Sequence, residues 1–162
     1  MHEASGAWSW LEVTAFAQAM RGWLWLYPIV EIIHIIGFVV LAGAVVMFDL
    51  RVLGLSKDIS VRALGQHLLR WSVAGLIFVV PAGLMMFSAH PQELATSTIF
   101  LLKLVLIATA GLNAALFHKG VYRSVTNWDS GMAAPATAKL HALLSIVLWI
   151  AVISCGRLLA YT

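Results

Sequence analysis

The sequence predicts an all-α integral membrane protein: an antiparallel four-helix bundle with a short amphipathic interfacial helix at its amino terminus. Hydrophobic residues make up 62% of the 162 residues and charged residues only 10%, whereas a soluble domain has about 25% charged residues. Four apolar stretches are each long enough to cross a hydrocarbon core of roughly 30 Å, which takes about 20 helical residues. This composition therefore requires that the protein be surrounded by a lipid bilayer.

The elements follow one another within a single transmembrane domain over residues 1–162. An apolar stripe over residues 8–20 predicts the interfacial helix. The four spans are predicted at residues 27–48, 68–88, 97–117 and 140–161. None alternates polar and apolar residues as a barrel strand does, so all four are predicted to be helices. Short connections make sequential spans antiparallel neighbours in a simple ring.

Cationic residues near the span ends predict the orientation. The connections after the first and third predicted spans hold more of them than the opposite side, where only Arg21 and Arg157 lie near span ends. The positive-inside rule therefore predicts a multi-pass protein of the bacterial inner (plasma) membrane with both termini in the periplasm. Because topology accounts for the net charge of +3, nucleic acid is excluded as a partner.

One cysteine, Cys155, limits the cofactor chemistry. A single thiol forms no intramolecular disulfide and no Cys-rich zinc or iron–sulfur site. Ligands for a cofactor or metal must then come from histidine, methionine and the acids.

Three ionisable residues lie inside the predicted spans near the periplasmic side. Glu31 and His34 share one side of the first span at i and i+3. Lys103 lies at similar depth in the third span, which is diagonal to the first in a simple ring. The structural interpretation is a buried Glu31–Lys103 ion pair that fixes the register. His34, in the interior of a long apolar run, is a functional candidate by default.

Three histidines are predicted at one level on the cytoplasmic side. His67 opens the second span, His118 ends the third and His141 opens the fourth. Helix bundles build cofactor sites from facing side chains in this way, and a b-type haem takes one or two axial imidazoles. His67 with His141 is the favoured pair, because the second and fourth spans are diagonal, and His118 is the substitute. The structural alternative is that all three bind headgroups or loop carbonyls at the interface.

Three runs of sequence carry a family resemblance. They are WLYPIVEIIHIIGFVVLAGAVVMFDLRVLGL, FLLKLVLIATAGLNAALFH and GRLLAY, which resemble an uncharacterised family of four-span bacterial inner-membrane proteins. The first-span histidine and the LK pair of the third span are also distantly similar to HemJ-type haem-binding and CopD-type membrane proteins. That similarity implies a haem role for His34 and a supporting role for Lys103. Because the helical rise separates His34 from the cytoplasmic histidines by roughly 15–25 Å, its haem would be a second one near the periplasmic side.

These patterns favour a membrane-embedded b-type haem protein with one or two haem b groups. It would act in electron transfer, as a subunit or partner of a membrane redox system rather than as a self-contained enzyme. Its partners would be quinone or a periplasmic redox protein, within a homo-oligomer or a larger membrane complex. The predicted cofactor-binding residues are Glu31, His34, His67, Lys103, His118 and His141, and the four histidines are the predicted metal ligands.

Two other functions remain open. One is copper handling or proton-coupled transport at a periplasmic ion site, because soft thioethers favour Cu(I). Its residues would be Glu31, His34, Met85, Met86 and His90. The other is a cofactor-free anchor subunit of a larger complex.

Overall fold

The computed structural model describes residues 7–161, and every regular element in this range is helical. Four of the helices are long and apolar enough to cross a membrane, which confirms the predicted fold class. They are α3 (Leu26–Leu53), α4 (Val61–Ala89), α6 (Thr98–Lys119) and α7 (Ala136–Leu158). The shorter helices are α1 (Ser9–Glu12), α2 (Ala15–Gly22) and α5 (Pro91–Thr96).

The amino-terminal segment forms two helices, where the sequence predicts one over residues 8–20. Thr14 separates them, because its Oγ1 accepts a hydrogen bond from the Ala17 N–H at 3.2 Å and begins α2. Ala17 and Met20 are buried, and α2 packs against α4. The segment is therefore docked on the bundle.

The first two spanning helices extend beyond the predicted apolar stretches. α3 continues to Leu53 and ends at Gly54, whose φ of 122° favours glycine. α4 begins at Val61, well before the predicted start at residue 68, because Ser60 Oγ accepts from the Ala63 N–H at 3.0 Å. Hydropathy alone misses these turns because they carry polar residues.

The spanning helices form the predicted ring with one open side. α3 packs against α4 and α7, and α7 packs against α6, whereas α4 and α6 pack little against each other in the described part of the chain. α3 is therefore diagonal to α6, and α4 is diagonal to α7. The open side between α4 and α6 is called the seam below.

The bundle has two ends that differ in their connections. The loop end holds the α3–α4 connection and the 3-10 turn Val121–Asn127 that follows α6, with a core cluster that includes Val52, Val61 and Trp128. The termini end holds α2, α5 and the last turn, with a smaller cluster around Met20 and Ala82.

Arg51 and Asp129 hold the loop end together. The Arg51 guanidinium donates to the carbonyls of Ile59 (2.6 Å), Lys57 (2.9 Å) and Asp129 (2.7 Å). The Asp129 carboxylate accepts from Ser60 Oγ (2.9 Å) and the Arg62 N–H (2.8 Å) at the start of α4. The Arg62 N–H bond is the main cause that lowers the pKa of Asp129 below its ordinary value.

Candidate functional site: two cavities inside the bundle

A cavity of about 480 Å³ lies at the termini end and is called the termini cavity. All four spanning helices contribute to its walls, which are mostly apolar and include Phe38, Phe87 and Phe100. Its ionisable and sulfur-containing side chains are Tyr27, Glu31, His34, Met86, Lys103 and Arg157. The structure thus brings Glu31, His34 and Lys103 to one cavity, as the diagonal arrangement of α3 and α6 predicts.

His34 has one ring nitrogen held and the other available. Its Nδ1 lies 2.9 Å from the carbonyl oxygen of Val79. A carbonyl only accepts hydrogen bonds, so Nδ1 carries the proton and Nε2 keeps its lone pair. Gly83 leaves room for the ring, since a Cβ at this position would lie 3.2 Å from His34 Cε1.

The charged groups of the termini cavity are not paired with one another. Within residues 7–161 the one salt bridge joins His90 to Glu93 at 3.8 Å, so the interpretation of Glu31 and Lys103 as an ion pair is wrong. The Arg157 guanidinium instead lies 4.7 Å from the centre of the Tyr161 ring and donates to its hydroxyl. Glu31 and Lys103 therefore share a cavity wall without neutralising each other.

Only part of the predicted periplasmic ion site is assembled. Met86 lines the termini cavity with Glu31 and His34, whereas Met85 packs against the core cluster of the termini end. His90 ends α4 and lies beside Glu93. In the described part of the chain, no three His, Cys, Asp or Glu side chains are grouped closely enough to hold a metal ion.

A second cavity, of about 280 Å³, lies toward the loop end and is called the loop cavity. All four spanning helices line it, and most of the lining is aliphatic or aromatic. Its polar side chains are Asp49, Ser72, Asn113, His118, His141 and Ser145.

The Asn113 amide orients His141. Its Nδ2 donates to the His141 carbonyl at 3.0 Å, so its Oδ1 faces the His141 ring, where Nδ1 lies 2.7 Å away. His141 Nδ1 is therefore the protonated nitrogen, and Nε2 keeps a lone pair. His118 is held in a similar way, with Nδ1 at 2.8 Å from the Ala114 carbonyl. Both imidazole rings pack on Phe117.

His67 does not join the other two histidines. It is exposed on α4, and its Nε2 accepts a hydrogen bond from Trp71 Nε1 on the same helix at 3.3 Å. The loop cavity thus brings together His118 and His141, which lie on adjacent helices, rather than the favoured pair of His67 and His141.

Asp49 is the cavity residue that the sequence reasoning missed. The first span was predicted to end at Phe48, which made Asp49 part of a loop, but α3 continues through it. Its side chain is 6% exposed, and Asp49 Oδ2 is the one buried side-chain nitrogen or oxygen of the described residues without a hydrogen bond. Gly54, the glycine that ends α3, is the sequence signal that could have located the true end.

The fold and its cavities define a four-span helical membrane protein with ionisable side chains inside the bundle. The chain belongs to DUF6644, a family of unknown function whose profile matches residues 8–162. No curated protein and no solved structure gave a match.

Proposed function

We propose that this protein is a membrane-embedded b-type haem protein that acts in electron transfer, and that His34 would hold the haem in the termini cavity. The observation that carries the proposal is the state of His34. Its Nδ1 is held by the Val79 carbonyl, which leaves Nε2 as an electron-pair donor beside a cavity of about 480 Å³.

The side chains of the termini cavity fit a haem. Histidines that ligate a metal commonly donate their other N–H to a carbonyl, which fixes the ring and raises its basicity. The mostly apolar walls are suited to a porphyrin face, and Lys103 and Arg157 are suited to its propionates. Met86 adds a thioether on the same cavity. A bound haem would supply a one-electron iron couple whose potential depends on the axial ligands.

The proposal assigns one haem to the termini cavity and none to the histidines of the loop end. The loop cavity is smaller, and His118 and His141 lie on adjacent helices.

The cationic residues of the loop end support an orientation in the bacterial inner membrane. Arg62, Arg70, Lys119 and Arg123 are all exposed there, so the positive-inside rule favours a cytoplasmic location for this end. The termini cavity would then open near the periplasmic side. There, quinone or a periplasmic redox protein would exchange electrons with the bound haem.

A second candidate function is copper handling, because Glu31, His34 and Met86 line one cavity. Imidazole and thioether ligands suit Cu(I). A metal found by elemental analysis, with no porphyrin absorbance, would favour this function over the first.

The deciding experiment is a visible absorption spectrum of the full chain, expressed with added haem precursor and purified in detergent. We expect a Soret band and a pyridine-haemochrome signal that His34→Ala abolishes. His67→Ala is the matched control, since His67 is exposed and lines neither cavity, and it should keep the spectrum. The proposal is wrong if the wild-type protein shows no Soret band, or if His34→Ala retains it in full.

A further inference from the structure

We infer that the loop cavity binds the head group of a lipid-soluble hydroquinone, which enters from the bilayer through the seam between α4 and α6. This inference goes beyond the proposed haem and uses a different set of residues. Three features of the cavity carry it: its mouth, its shape and the hydrogen-bond acceptors on its wall.

The mouth of the loop cavity opens to the side of the bundle. Leu69 and Leu76 on α4, together with Gly111 on α6, line the cavity and are also exposed on the outer surface. They lie on spanning helices, so their exposed surfaces face lipid. A ligand that enters here comes from the hydrocarbon region and must itself be largely apolar.

The cavity is large enough for a substituted ring. Its volume of about 280 Å³ lies just below the roughly 300–1,000 Å³ that is usual for small-molecule pockets. Phe48, Phe117 and Trp149 contribute aromatic surfaces to its walls, against which a flat ring packs well. An apolar pocket with a few polar groups is the usual form of a site for a small ligand.

Asp49 supplies the first hydrogen-bond acceptor. Its Oδ2 is buried without a partner, and such an atom is costly unless something donates to it. Arg51 does not serve Asp49, since its guanidinium donates to three loop carbonyls. Asp49 lines the loop cavity, so a ligand hydroxyl there would donate to its carboxyl, which accepts a hydrogen bond in either protonation state.

His141 supplies the second acceptor. Its Nδ1 proton is committed to Asn113, so the lone pair is on Nε2. Ser145, whose hydroxyl approaches the Asp49 carboxyl, lies one helical turn from His141, or about 6 Å along the helix axis. A ligand that serves both acceptors therefore needs hydroxyl donors at two separated positions. A hydroquinone has two such hydroxyl donors. A quinone has only carbonyl acceptors, whose lone pairs would repel the lone pair of His141.

The test is equilibrium binding of decylhydroquinone and of its oxidised form, decylquinone, to the purified full chain in phosphatidylcholine nanodiscs without oxygen. We expect saturable binding of the hydroquinone and at least about 10-fold weaker binding of the quinone, the factor that one lost interaction of about 1.4 kcal/mol produces. Equal binding of both forms, or partitioning no different from that of empty nanodiscs, would overturn the inference.

Two variants test whether binding occurs in the loop cavity. Asp49→Leu removes the carboxyl whose Oδ2 has no hydrogen bond among the described residues, so it should weaken binding about 10-fold while the protein still folds. Asp58→Leu, at an exposed position outside the spanning helices, is the matched control and should bind as the wild type does.

Gly111→Phe blocks the mouth without disturbing the helix. A Cβ at Gly111 meets no atom within 4 Å, so an added ring causes no clash at this cavity-lining position. We expect this variant to lose binding with no loss of thermal stability. Gly43→Phe is its control, because Gly43 is equally open but lines neither cavity. Unchanged binding in Gly111→Phe would place the ligand elsewhere and refute the site.

These binding measurements do not depend on haem. A missing Soret band would contradict the proposed function but would leave the hydroquinone binding measurement unaffected.

Discussion

Arg51 and Asp129 at the loop end are hydrogen-bonded into the fold, whereas Glu31 and Lys103 at the termini end face a cavity. Arg51 is 3% exposed and donates to three carbonyls, and Asp129 caps α4. Glu31 and Lys103 line the termini cavity without forming a salt bridge. Arg51 and Asp129 therefore stabilise the structure, whereas Glu31 and Lys103 are available to a ligand.

Replacement of Arg51 should produce the largest loss of stability. Arg51→Met leaves the carbonyls of Ile59, Lys57 and Asp129 without their donor, and hydrogen bonds from charged groups contribute about 1.5–3 kcal/mol each. Because the freed carbonyls lie near water and can rehydrate, we expect a total loss of about 3 kcal/mol in the free energy of unfolding, measured in mixed micelles. Arg70→Met, at an exposed position, should change little. Equal losses of unfolding free energy in Arg51→Met and Arg70→Met would refute the structural role of Arg51.

Replacement of Asp129 should have a smaller effect that depends on pH. The pKa of Asp129 is lowered in the fold, so the carboxylate contributes stability above its unfolded pKa of about 3.9. This contribution is lost as the pH falls through the lower folded pKa. Asp129→Asn should therefore cost up to about 1 kcal/mol at pH 7, because screening by solvent limits the effect. The difference from wild type should disappear in strong acid. A difference that grows on acidification would contradict this assignment.

Replacement of Lys103 should have the smallest effect on stability. It has no ion-pair partner among the described residues, and burial of an unpaired cation is unfavourable. We expect Lys103→Met, measured on haem-free protein, to change the free energy of unfolding by no more than about 0.5 kcal/mol. Haem retention should fall if Lys103 holds a propionate. A stability loss as large as that of Arg51→Met would show that Lys103 stabilises the fold as Arg51 does.

The sequence predicted the number of spans because lipid demands long apolar helices, and it predicted which helices are diagonal. It did not predict that α4 and α6, which a short connection joins, pack little against each other. It was less accurate where a polar residue continues a helix. Asp49 and Arg51 lie within α3, and hydropathy cannot distinguish the last turn of a helix from the loop that follows it. The Gly54 stop and the Ser60 cap mark these boundaries better than polarity does.

The sequence predicted how deep each candidate residue lies in the membrane, but not whether its side chain faces the inside of the bundle. The rise of about 1.5 Å per residue puts His67, His118 and His141 at one level. Which of them enters the bundle depends on the rotation of each helix, and a helix that is apolar on all sides gives no signal of its inward face. His67 therefore lies outside the loop cavity, whereas His118 and His141 line it. For Glu31, His34 and Lys103 the diagonal ring was sufficient, because all three line the termini cavity.

The seam makes the bilayer the reservoir that supplies the loop cavity. A molecule that reaches Asp49 between α4 and α6 is already dissolved in lipid, so its effective concentration is its mole fraction among the lipids rather than its concentration in water. Modest contact with the cavity walls is then enough for high occupancy. Occupancy should therefore fall when lipid is added at constant water volume, because the added lipid lowers the mole fraction of the ligand in the bilayer.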